Sequence, residues 1–394
     1  MTFSFAFDVE HDSEDEDFLA LETAKLDISS TPATAEDSFT ALPHNQHSLE
    51  SLLETLPPLI SYTPVTVQLS KPTTSASQKS TTLLRRDLFD ARFQVISQNE
   101  SDDEEEQDQD EASGTPVALT REQKGKARET LVDEESDLVK GIYEGGLKTW
   151  ECSLDLVDCL FGMGHATPLG EGEPDLVRGK SVLEVGCGTA LPTCAIFSRL
   201  ISEIRRSPST PDDPPPKVTR IHLQDYNSQV LSLITLPNLL LAYAKNLAFS
   251  SSDTDTDSSS SLPAGDIDIT PEFLASFESL LSLERIELCF FSGDWSSFHI
   301  PSADKYDLVL TSETIYSLPS LSPLLDLLQE ACKEAEQTTC LVACKRIYFG
   351  VGGGELEFRK KVEERKGRVE TVWGEGEGEG RSRGVGRVVM KIQW

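Results

Sequence analysis

The chain lacks a basic face. Thirty-five Lys and Arg stand against 67 Asp and Glu, a formal net charge of −32 over 394 residues. That balance excludes a general nucleic-acid binder, which must neutralise phosphates, and direct DNA binding is not expected. Paired metal-site cysteines are also missing. The eight cysteines are scattered without a CxxC, and Cys340 and Cys344 have no histidine near them, so no metal is expected and the thiols are expected in the core. No apolar run is read as long enough to span a bilayer, and the first residues are acidic where a secretory leader is basic and then apolar. The expectation is an intracellular chain without a membrane partner.

What is present is unevenly distributed. Residues 1–135 are rich in Ser, Thr, Pro, Asp and Glu, with an acidic block from Glu100 to Glu111, and are expected to be mostly disordered. The block reads as a solvating linker or a dock for a basic partner. Phe3, Phe5 and Phe7 alternate as in a strand or a docking motif. The folded domain is expected over 136–394, with disordered insertions near 203–217, where five prolines fall between Arg205 and Lys217, and near 250–266, a Ser/Asp tract.

Within that domain, Ser181–Val185 reads as a buried strand. It runs into Gly186-Cys187-Gly188-Thr189-Ala190-Leu191, followed by a helix, the pattern of a ligand cradle. Further strands are expected at Thr219–Gln224, Ile286–Phe291, Tyr306–Leu310 and Thr339–Ala343. Helices are expected from Ser153 as cap, over Ser228–Asn246 bent at Pro237, and over Pro271–Leu283, Leu321–Cys332 and Glu355–Lys366. Alternating strands and helices imply an α/β fold with a mostly parallel sheet covered on both faces. The last two strands, Arg368–Trp373 and Gly384–Gln393, are joined through a Gly/Glu-rich segment and should close it with a C-terminal antiparallel hairpin.

Ligands of such a sheet lie beyond the carboxyl ends of its strands. There stand Gly186, Gly188, Asp225, Asp294, Ser312 and Glu313. Asp225 is placed to accept ribose hydroxyls, or else to cap the next helix. Leu191 occupies the place of the third glycine of a nicotinamide fingerprint, which weakens an oxidoreductase reading. Lys345, Arg346 and Tyr348 precede Gly350, Gly352, Gly353 and Gly354 without a Gly-Lys-Ser/Thr, so this segment is read as a loop on the substrate side, able to grip a peptide or adjoining RNA, or as a plain glycine turn into a helix.

Val-Leu-Glu-Val-Gly-Cys-Gly-Thr-Ala with a terminal hairpin resembles the Rossmann-like seven-strand class I methyltransferases. More narrowly, Tyr143 to Cys152, Gln224-Asp225-Tyr226-Asn227, Thr235-Leu236-Pro237-Asn238, Gly293-Asp294-Trp295, Leu310 to Tyr316 and Lys345 to Gly354 look like the eukaryotic histidine protein methyltransferases. The resemblance covers about Asp137 to Trp394, and the acidic N-terminal region is similar too. It implies S-adenosylmethionine as cofactor and, as partner and substrate, a histidine of a large-subunit ribosomal protein, the L-three protein. It links the chain to ribosome biogenesis and translation, as a monomer of cytoplasm and nucleus. It places Lys148, Thr149, Trp150, Glu151 and Cys152 over the cofactor, and Gly186 and Gly188 beside its methionine part. Asp225, Tyr226 and Asn227 fall on the ribose, Gly293, Asp294 and Trp295 at the adenine, and Ser312 on the far side. Glu313 and Tyr316 are the catalytic candidates, in Glu-Thr-Ile-Tyr where related enzymes carry Asp-x-x-Tyr. The alternatives are a protein-lysine methyltransferase and a cofactor-binding ribosome assembly scaffold.

Overall fold

In the computed structural model, residues 42–70, 79–92, 94, 146–167, 174–209, 214–250, 263–300, 305–333, 337–349, 352–374 and 386–394 are described. The acidic block, Phe3, Phe5, Phe7 and residues 136–145 lie outside them. The centre is β4 (Ser181–Val185), every residue of which is buried. It pairs in parallel with β5 (Thr219–Asp225) on one side and β8 (Leu308–Ser312) on the other. Outward lie β7 (Ile286–Ser292), parallel to β5, and β9 (Thr339–Lys345), parallel to β8.

Beyond β9 the direction reverses. Strands β11 (Arg387–Gln393) and β10 (Arg368–Gly374) are antiparallel to their neighbours, as the short Gly/Glu-rich connection requires. Alternate strand residues enter opposite cores: Val182, Leu308, Leu310 and Leu341 on one face, Leu183, Val309, Cys340 and Val342 on the other. Burial on both faces is why these strands read as unbroken apolar runs.

The first face is covered by α2 (Glu151–Gly162), α3 (Leu191–Arg206), α5 (Leu236–Ser250) and α6 (Pro271–Leu283). The second is covered by α7 (Leu318–Ala331) and α8 (Glu355–Glu364). Between β5 and α5, the short helix α4 (Ser228–Val230) runs into a π-helical turn, Leu231–Thr235, so the irregularity expected at Pro237 falls in the turn before it. Ser228–Leu247 is long and apolar enough to cross a membrane by length and composition alone, contrary to expectation, but it is mostly buried in this fold. All eight cysteines are free, and all except the half-buried Cys289 are buried.

The N-terminal region needs correction. Residues 42–70, 79–92 and 94 are not disordered. Strand β1 (Asn45–His47) adds an eighth strand, antiparallel to β7, at the edge of the main sheet, followed by α1 (Leu49–Leu53). A second antiparallel sheet has the order β3-β2-β6, with β2 (Leu59–Gln68), β3 (Ser80–Arg86) and β6 (Gly265–Asp268). Thus the insertion expected near 250–266 ends in a strand. The signal is weak because β2 carries Pro64 and buries fully only Ile60 and Val67; its partners, among them Leu84 and Leu241, come from distant sequence. The other insertion begins later than 203, since α3 runs to Arg206. Helix α2 is capped at Trp150, not Ser153: the chain is still extended at Trp150, and the Ser153 hydroxyl bonds back to the Trp150 carbonyl at 2.7 Å.

Candidate functional site

The glycine loop follows from three backbone conformations. Gly186 and Gly188 lie at φ +61° and +49°, and Ala190 at +49°, a left-handed region where a side chain is costly. A Cβ on Gly186 would stand 2.6 Å from Thr314 Cγ2, and one on Gly188 would stand 3.3 Å from the Gly146 backbone.

The loop is pinned from beneath. Glu184 accepts the Thr193 N–H at 3.1 Å and also the Thr193 hydroxyl, capping the first turn of α3 from the preceding strand. Thr235 donates to the Gly188 carbonyl at 2.7 Å, and Asn238 Nδ2 to that of Thr189 at 2.8 Å. Burial pushes the Glu184 carboxyl up to about 8; the Thr193 bonds oppose that rise and the nearby Asp225 adds to it. Leu191, in the third-glycine position, is fully buried.

Asp225 ends β5 beside this loop. Its Oδ2 accepts the Gly188 N–H at 2.9 Å and its Oδ1 the Asn227 N–H at 3.1 Å. A carboxylate has about four acceptor positions, the chemistry a pair of hydroxyl donors would need. Gln224, quoted only as part of a motif, is a structural hub. Its Oε1 receives the Trp295 indole N–H at 2.9 Å and the Gly186 N–H at 3.2 Å, and its Nε2 donates to the Gly293 carbonyl at 2.9 Å. One amide therefore joins the glycine loop to the Gly293-Asp294-Trp295 turn.

Asp294 Oδ1 caps that turn through the Ser296 N–H at 2.7 Å, the ordinary structural role for a carboxyl there. Strand β1 enters from outside: the Asp294 N–H bonds to the Leu42 carbonyl at 2.9 Å, and His44 stacks on Phe298 at 4.4 Å. None of this N-terminal contribution was read from sequence.

A second corner is built from three chain segments around Glu313. Glu313 follows β8 at φ +56°, a strained conformation for a non-glycine residue. Its side chain is only 8% exposed, and Lys345 Nζ lies 3.8 Å from its Oε1. The Tyr348 hydroxyl donates to Glu313 Oε2 at 2.5 Å and accepts the Lys345 N–H at 3.2 Å. Oε1 is buried without a hydrogen bond among the described residues.

Lys345 Nζ also lies 5.4 Å from the centre of the Trp150 ring and 3.6 Å from Glu151. Burial, then the Glu313 charge, push both the Cys152 thiol and the Tyr348 phenol far up, so both keep their protons. Of the sequence candidates, Trp150, Glu151, Cys152 and Glu313 converge here, and Thr149 reaches the glycine loop through Thr189 at 3.3 Å. Lys148 is half-buried on the same segment and Ser312 half-buried at the end of β8. Tyr316 packs edge-on against Tyr348 at 6.3 Å; the phenol found donating to Glu313 is Tyr348, which the sequence had placed only on the substrate-side loop.

The residues fit S-adenosylmethionine: two glycines in conformations that leave room at the backbone, a carboxylate at the end of β5 bonded to the second of them, and the part-exposed Trp150 and Trp295. No family model matches the chain. It is 33% identical over 336 residues to histidine protein methyltransferase 1 of Schizosaccharomyces pombe, covering 83% of this chain and 79% of that one. The Saccharomyces cerevisiae protein of the same name is 29% identical over 294 residues, with 72% and 69% covered. A Bos taurus homolog is 34% identical over 236 residues, with 58% and 51% covered. Among solved structures, a SAM-dependent methyltransferase from Aquifex aeolicus is similar over 62% of this chain and 93% of its own at 13% identity, with a TM-score of 0.31. With one third of its residues identical to the fission-yeast protein over more than two thirds of both chains, the chain belongs to the histidine protein methyltransferase family.

Proposed function

We propose that this methyltransferase uses S-adenosylmethionine to methylate a histidine of a large-subunit ribosomal protein, the L-three protein, and so serves ribosome biogenesis and translation in cytoplasm and nucleus. The observation that carries the reading is the Glu313 carboxyl: one oxygen is held by a phenol and the other is buried without a hydrogen bond, at the rim of a glycine and carboxylate cradle. When bound, the cofactor supplies an electrophilic sulfonium methyl. Gly186 and Gly188 admit its methionine part at the backbone, Asp225 with Tyr226 and Asn227 receives the ribose, and Gly293, Asp294 and Trp295 line the adenine. The segment Lys148 to Cys152 lies over it, and Ser312 stands on the far side.

An unperturbed imidazole titrates near ~6.5, so the acceptor is largely neutral at cellular pH and needs alignment more than activation. Glu313 accepts the N–H of one ring nitrogen, which selects the tautomer and aims the lone pair of the other. As the nitrogen–carbon bond forms and the carbon–sulfur bond breaks, that N–H proton passes to Glu313 and then to water. Tyr316 supports the ring of Tyr348 behind it. The ribosomal target comes from the family resemblance, not from the geometry.

The test is incubation of the full chain with labelled S-adenosylmethionine and an extract from cells lacking the enzyme, followed by mapping of the labelled residue. Label on a histidine of the L-three protein is expected. Label confined to lysine overturns the acceptor, and label on a histidine of another protein overturns the target. A Gly186→Arg protein that restores ribosome function would instead favour a scaffold.

A further inference from the structure

We propose that Tyr348 is a positioning residue for methyl transfer: its hydroxyl locks the Glu313 carboxyl so that Oε1 faces the incoming imidazole N–H. This rests on the reading of Glu313 given above. Three observations carry it. The phenol donates to Oε2 at 2.5 Å while its oxygen is itself fixed by the Lys345 N–H, so Oε2 is anchored to the segment beyond β9. The remaining oxygen is buried with no hydrogen-bond partner among the described residues, an acceptor that a donor on the substrate would satisfy. And Glu313 itself sits at φ +56°, backbone strain spent on aiming this one side chain.

The other groups facing Glu313 do not substitute for the phenol. The Cys152 thiol on α2 lies within hydrogen-bonding reach of Glu313 but is a weak donor, Lys345 Nζ stays 3.8 Å from Oε1 while also facing Glu151, and Cys344 on β9 is fully buried. Burial and the carboxyl charge push the Tyr348 phenol up, so it donates at every working pH and cannot serve as the base. In the transfer step the imidazole nitrogen gains the methyl, sulfur keeps the electron pair of the broken bond, and the displaced N–H proton goes to Glu313, never to Tyr348. The Lys345 ammonium, on a flexible stem over Trp150, is the group that moves aside as the ring enters.

A double-mutant cycle on the full chain tests this. Tyr348→Phe keeps the ring that packs on Tyr316 and removes only the hydroxyl. Expected are a fall in kcat of about 10- to 100-fold and a KM for the protein substrate within about threefold, a split that a general loss of structure would not give. In a Glu313→Gln background the same change should cost less than about threefold. An equal loss in both backgrounds, or a KM that rises as much as kcat falls, overturns the proposal. Should Tyr348→Phe fail to fold, a fluorinated tyrosine at position 348 keeps the hydroxyl and alters its donor strength, and must change kcat in the wild-type background and not in the Glu313→Gln background. If the wild-type enzyme labels lysine, the histidine reading fails by itself, and the cycle measured on that lysine still judges the Tyr348 and Glu313 pair.

Discussion

The two halves of the site are made differently. The cofactor side is a backbone object: Gly186, Gly188 and the first turn of α3, with their peptide groups bonded to Glu184, Gln224, Asp225, Thr235 and Asn238. The acceptor side is a side-chain object, in which Trp150, Glu313, Lys345 and Tyr348 meet from the ends of three separate elements around one carboxyl. Backbone shape at the first is set by residues adjacent in sequence. At the second, placement depends on β4, β8 and β9 being neighbours in the sheet. Damage should therefore separate: cofactor affinity falls with changes to the first, and turnover at full cofactor occupancy with changes to the second.

The largest expected effect is that of Gly186→Val. A β-branched residue at φ +61° is strained, and its Cβ would stand 2.6 Å from Thr314, so cofactor affinity by titration calorimetry should fall about 100-fold or more, with activity following it. Affinity within about threefold of wild type would show that the loop is not the cradle. Next comes Glu313→Gln, which keeps shape and removes the proton acceptor. kcat should fall about 100-fold while cofactor affinity stays unchanged. If cofactor affinity fell with turnover, the two halves would not be separable.

Legibility follows the same division. The glycine loop could be read because a strand, two glycines and a helix start are contiguous, and the parallel strands because burial on both faces leaves long apolar runs. Tyr348 lies 35 positions from Glu313, and nothing local to Lys345-Arg346-Ile347-Tyr348 says that its hydroxyl turns back to β8. Gln224 was visible only as part of a motif, since a buried amide announces no partner. The N-terminal layer was hidden for another reason. Arg86 is fully buried, its N–H bonded to Asn238 Oδ1 at 2.7 Å and its Nη1 to the Leu233 carbonyl at 2.8 Å. Because Asn238 also holds the Thr189 carbonyl, β3 backs the glycine loop through a single amide. A charged residue in a Ser/Thr-rich stretch gives no hint of that burial.

Gly293→Ala tests whether this outer layer matters to the cofactor half. The residue lies at φ +110°, and a Cβ there would stand 2.4 Å from the Pro43 carbonyl oxygen. Backbone cannot yield as a side-chain tip can, so β1 should detach from the Asp294 turn. Cofactor affinity should fall about tenfold, roughly 1.4 kcal/mol, with faster hydrogen exchange over residues 45–47 and 294–297. Unchanged exchange at β1 would remove the strand from the description of the site.

The smallest effect on activity separates the halves by pH. Glu184 belongs to the cofactor side, and burial first, with Asp225 adding, raises its carboxyl from 4.5 to about 8 in the folded protein. Between those values the folded state keeps a proton that the unfolded chain has released. Stability from this group is therefore complete below about pH 4.5 and is lost as pH rises toward 8, by up to about 1.4 kcal/mol per pH unit. Glu184→Gln is neutral throughout and should remove the slope: relative to wild type, its Tm should be higher at pH 8 than at pH 5. His44 and His47, both held below their usual value by burial, act in the opposite direction below about pH 6.5, but they are common to both proteins and cancel in the difference. Turnover at saturating cofactor and acceptor should stay within about threefold of wild type in this variant. If Glu184→Gln lowered turnover as far as Glu313→Gln does, the division between a backbone cradle and a side-chain acceptor corner would have to be abandoned.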